Sequence, residues 1–69
     1  MDYEFRFFRG PEFEVLHMTA VESDTAALER ARAYLRYSPY FSHVEVRRGN
    51  QFMRRVINDL IPGEQERPH

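Results

Sequence analysis

VEVRRGNQFMRRV, residues 44–56, decides the fold, because the segment after its glycine determines whether the chain closes with a strand or with a helix. Val44 and Val46 alternate with Glu45 and Arg47, the period of a strand with one buried face. Gly49-Asn50 then offers a two-residue hairpin connection, glycine being the residue a type II′ turn takes first. Beyond it, QFMRRVINDLI (51–61) fits two patterns. As a strand it continues the hairpin through Ile57 and ends in a short irregular segment. As a helix it is capped by Asn50 and sets apolar pairs at 52/53, 56/57 and 60/61, one every four residues. The turn chemistry favours the strand.

Upstream, ESDTAALERARAYLRY (22–37) is the clearest helix. Ser23 or Asp24 caps its first turn, Arg36 lies near its end, and Ala27, Leu28, Ala31, Tyr34 and Leu35 form one apolar stripe. Pro39 stops it, since the residue before a proline avoids the α region. Further upstream, Tyr3, Phe5 and Phe7 alternate with Glu4 and Arg6, RGPE (9–12) is a turn, and FEVLHMTAV (13–21) is rich in β-formers. With Phe8 opposite Phe13 and unbroken alternation, Phe5 falls opposite Leu16, Tyr3 opposite Met18 and Glu4 opposite His17. Leu16 and Met18 then share the face of Tyr3, Phe5 and Phe7, while Phe8, Phe13 and Val15 lie on the other.

The order is ββαββ. Its simplest packing is an α+β fold, a four-stranded antiparallel sheet in the order 2-1-3-4 with the helix on one face and a right-handed crossover. The helical reading of the last segment gives ββαβα instead. Sixty-nine residues and 8.3 kDa suit a single domain, here residues 1–61, and PGEQERPH (62–69) is expected to be a disordered C-terminal tail. So short a chain buries only about 60% of its unfolded surface, for a stability of roughly 3–10 kcal/mol. Association with another chain would add to that.

ALERARAYLRYSPYFSHVEVRRGNQFMRRV (27–56), with its alanine-rich helix, V-E-V strand, glycine turn and final hydrophobic strand carrying an arginine, resembles small uncharacterised alphaproteobacterial proteins. Arg47 stands where those proteins often have tryptophan. The resemblance implies a ββαββ-like fold and a bacterial cytoplasmic setting, and brings no activity with it.

Composition narrows the chemistry. The absence of cysteine removes disulfides, thiolate nucleophiles and cysteine-ligated metals, and a reducing cytoplasm is the simplest home. The opening MDYEFRFFRG does not read as a signal peptide, and no run approaches the ~20 apolar residues of a membrane span. His17, His43 and His69 have no metal-ligand spacing, no serine lies in a nucleophile motif, and the three glycines form no phosphate loop. The expectation is a protein without enzymatic activity, cofactor or metal.

Net charge is −1, but it is segregated. Residues 1–29 hold seven acids against two arginines, and residues 30–57 hold seven arginines against Glu45. There is no lysine. Arg47, Arg48, Arg54 and Arg55 are therefore candidates for nucleic-acid contact, with nearby aromatics to stack bases. A plain hairpin register divides them, setting Glu45 opposite Arg54, Arg47 and Arg54 on the open face, and Arg48 and Arg55 on the other. That register also aligns Phe52 and Val56 with Phe8, Phe13 and Val15, an apolar patch on a face the helix does not cover. The leading expectation is a module that uses this patch to homodimerise or to dock on a protein partner; nucleic-acid binding is the alternative.

Overall fold

A computed structural model describes residues 1–58. Its elements are β1 (Asp2–Arg9), β2 (Glu12–Ala20), α1 (Asp24–Tyr37), β3 (His43–Arg48) and β4 (Gln51–Ile57). They form one antiparallel sheet in the order β2-β1-β3-β4, with α1 on one face. The expected α+β architecture and strand order are present, and the final segment is a strand over 51–57, so the ββαβα alternative does not apply. The tail at 62–69 lies outside the described residues.

Both hairpins turn on glycine. Gly10 and Gly49 have φ of 60° and 62°, the left-handed region, and no other residue among those described has positive φ. A side chain at either position would meet no neighbour, so the requirement is conformational and not steric. Asn50, with negative φ, fits the second position of the type II′ turn.

The helix begins where its chemistry predicts. Ser23 Oγ accepts from the Ala26 N–H at 3.1 Å, Asp24 lies in the first turn and Arg36 in the last, each matching the helix dipole. Ala27, Ala31 and Leu35 are buried, and the two alanines let the helix backbone approach the sheet closely. Beneath them lie Tyr3, Phe5 and Phe7 of β1 and Val44 and Val46 of β3, all buried. The two central strands thus supply much of the core, since among the described residues only they have neighbouring strands on both edges. Tyr34 reaches sideways over β1, its ring edge-on to Phe5 at 5.4 Å.

The loop after the helix is tied to both hairpins. Ser42 N–H donates to the Phe8 carbonyl at 2.8 Å, Ser42 Oγ accepts from Gly10 N–H at 2.9 Å, and Asn58 N–H donates to the Ser42 carbonyl at 2.9 Å. The buried Asn58 carboxamide donates to the Phe41 carbonyl at 2.8 Å and, more weakly, to the Leu35 carbonyl at 3.5 Å. One buried amide thereby ties the following loop to the end of α1, where the Leu35 carbonyl also accepts from the Ser38 N–H at 3.2 Å.

Candidate interaction surface

Two bulges reassign the outer strands. In the first hairpin Phe8 faces Phe13 as expected, but Phe7 faces Val15, leaving Glu14 as an extra residue. Beyond it the register is displaced by one: Phe5 faces His17, Arg6 faces Leu16 and Glu4 faces Met18. A one-residue slip turns every side chain over. Leu16 and Met18, expected in the core, are instead 51% and 58% exposed on the open face. Val15, expected beside Phe13, lies on the helix side with His17.

The second hairpin repeats the device. Arg48 faces Gln51 and Arg47 faces Phe52, but Val46 faces Arg54, so Met53 is the extra residue. Glu45 consequently faces Arg55 and not Arg54, and Val56 faces Val44 on the helix side, where it is buried. Of the five residues expected to share an apolar patch, Phe8, Phe13 and Phe52 do lie on the open face, and Val15 and Val56 do not.

The open face is ordered in rows across the strands. One row is Phe13–Phe8–His43–Ile57, in which Phe8 and His43 stack at 4.7 Å and 8° between planes. The next is Leu16–Arg6–Glu45–Arg55, and the third Met18–Glu4–Arg47–Phe52. Charges of alternating sign occupy the middle and apolar side chains mostly the flanks. Arg6 also bonds Glu4 on its own strand. The acidic beginning and basic middle of the chain are thus brought side by side, because β1 and β3 are neighbours.

The arginines separate accordingly. Arg47 and Arg55 are on the open face opposite Glu4 and Glu45. Arg54 is exposed on the other face, and Arg48 reaches α1, its Nη1 donating to both Asp24 oxygens at 2.7 and 2.8 Å. Tyr3 Oη donates to the same carboxylate at 2.5 Å. That phenol bond, aided by Arg48, holds the Asp24 carboxyl below its usual range and in turn raises the Tyr3 phenol. His43 is held below the usual imidazole range by burial first and by the Arg55 charge second.

On its helix side β2 is almost uncovered. The helix backbone runs over β3 and β4, leaving Val15 43% exposed. Between β2 and the end of α1 lies a groove of about 270 Å³ lined by Phe7, Val15, His17, Tyr34, Ser38 and Phe41. Tyr34 bridges only part of the gap, its ring edge-on to His17 at 5.6 Å. β2 therefore presents apolar side chains on both faces together with an outer edge that pairs with no strand among the described residues.

Among the described residues no group of three or more histidine, aspartate or glutamate side chains is placed to hold a metal, and no helix is long and apolar enough to cross a membrane. Sequence reasoning missed Leu16 and Met18 as surface residues. The one available signal was Glu14, an acid between two apolar residues near a turn, where a bulge is easily placed. No protein family, curated protein or solved structure matches this chain.

Proposed function

We propose that this protein is a non-enzymatic interaction module that associates with another protein chain through the side of the sheet bounded by β2. The observation that carries this reading is the exposure of Phe13, Leu16 and Met18 on one face of β2 and Val15 on the other, beside a sheet edge. Contiguous apolar surface of this kind is rarely left to solvent, and a bare edge strand is a template for further pairing. Covering it would also supplement the small core of a short domain.

Folded variants carrying Phe13→Glu, Leu16→Glu or Met18→Glu, with unchanged far-UV circular dichroism, are expected to lose self-association or partner binding in light scattering and pull-down. If all three fold and behave as the native chain, the reading is wrong. Nucleic-acid binding through Arg47, Arg48, Arg54 and Arg55 is less well supported, because three of the four arginines bond or directly face an acid and the four divide between two faces. It requires an affinity for a single-stranded oligonucleotide that falls steeply with salt.

A further inference from the structure

Resting on that reading, we propose that the partner is a second copy of this chain, paired antiparallel along the outer edge of β2 about a two-fold axis, so that two four-stranded sheets become one of eight. Edge pairing needs a strand with free backbone groups, little charge and no proline. β2 is such a strand: Val15 to Val21 holds no Asp, Glu, Lys or Arg, and no glycine or proline interrupts Glu12–Ala20. β4, the opposite edge, carries Arg54 and Arg55 beside its bulge.

The alternative of stacking two open faces is disfavoured by their middle rows. It would bury Glu4, Arg6, Glu45, Arg47 and Arg55 in each copy, and removing ion pairs from water costs as much as their attraction returns. Edge pairing leaves those charges wet.

Symmetry limits the register. A two-fold axis normal to the sheet brings together only residues on the same face, so one residue of β2 must lie opposite itself. Centring on Met18 would set Glu14 against Glu22 of the other copy, twice. A His17-centred register would set imidazole against imidazole. Centring on Leu16 avoids both clashes: Leu16 meets Leu16, Val15 meets His17, and Glu22 of each copy arrives at the Gly10 turn of the other, next to Arg9. The Arg9 side chain is exposed, with a 3.4 Å contact to Glu14 and the Tyr40 ring 4.8 Å from its guanidinium carbon. In this register His17 of the second copy also closes the open side of the groove between β2 and α1.

The chain has no cysteine, so a single introduced thiol reports the axis without interference. Residues directly opposite in antiparallel strands have Cα atoms about 4.5–5.5 Å apart, within the ~4.4–6.8 Å a disulfide spans. Under mild oxidation Leu16→Cys should form a covalent dimer at least tenfold faster than Phe52→Cys, which places the thiol on the far edge. Glu22→Arg should weaken the native dimer about tenfold by light scattering, and Arg9→Glu in the same chain should restore it. A native chain that stays at 8.3 kDa at several hundred micromolar, or equal cross-linking at 16 and 52, would overturn the proposal. If the chain is monomeric yet Leu16→Glu abolishes binding to another protein, the second copy is refuted and the interaction module stands.

Discussion

β2 and β4 are built alike and end differently. Each leaves a glycine turn, each holds one extra residue that flips the strand beyond it, and each forms an edge of the sheet. In β4 the flip carries Val56 under the helix and sets Arg55 opposite Glu45. In β2 it carries Val15 and His17 to the helix side, where Tyr34 covers them only in part, and turns Leu16 and Met18 to solvent. A helix about 10 Å wide cannot span four strands spaced about 4.8 Å apart. Having settled over β3 and β4, it leaves the far edge apolar and, among the described residues, unpaired. The same local device therefore completes the core on one side and creates an interaction surface on the other.

The largest test of that difference is a matched pair of truncations. Val56→Ala should cost about 2 kcal/mol in urea unfolding, from lost burial and an unfilled cavity. Val15→Ala, measured at a concentration low enough to exclude self-association, should stay within about 0.5 kcal/mol. Equal costs would mean that β2 is as well covered as β4.

A somewhat smaller effect is expected at the end of β4, where Asn58→Ala removes the donor to the Phe41 carbonyl and should cost about 1–2 kcal/mol. Hydrogen exchange should then quicken at the C-terminal end of α1 and in residues 38–42 while the Gly10 turn changes less. Uniform acceleration would show that Asn58 is not the local fastening.

The smallest effects come with pH. Asp24, with a depressed folded pKa, contributes stability that is present above about pH 4 and is lost as pH falls through the lower folded value. His43, also depressed, disfavours the charged ring in the folded chain, so stability should decline as pH drops below about 6.5 towards its folded pKa. Asp24→Asn should flatten the first limb and His43→Phe the second in pH-resolved thermal melts. Unchanged profiles in both would remove these groups as sources. The sign at His43 belongs to the β3–β4 side, where Arg55 adds to the penalty of burial.

The elements themselves were set by local sequence. The Tyr3-Phe5-Phe7 and Val44-Val46 alternations, the Ser23 cap, the alanine stripe and the two glycine turns are each short-range patterns, and together they specified the first four elements, ββαβ. The central strands were legible because their buried and exposed sides repeat without interruption. Residues 44–56 left open the state of 51–57: the turn at Gly49-Asn50 favoured a strand against a four-residue apolar repeat that also suited a helix, and the folded sheet shows the strand.

Only the folded sheet decided which side chains share a face. Met53 is an ordinary strand residue in sequence, and Glu14 is marked only by being an acid between two apolar residues, which does not fix it as the one to be left unpaired. Their displacement comes from matching each outer strand to a central partner already fixed by the core, and it moved Leu16, Met18, Val15 and Val56 from their expected sides. Tertiary structure likewise determined the pairing of the acidic and basic segments, since Glu4 and Arg47 or Asp24 and Arg48 are distant in the chain and meet through the β1–β3 crossover. Local pattern specifies elements because its interactions lie within a few residues; register and coverage depend on how far one helix extends over four strands, which no short stretch contains.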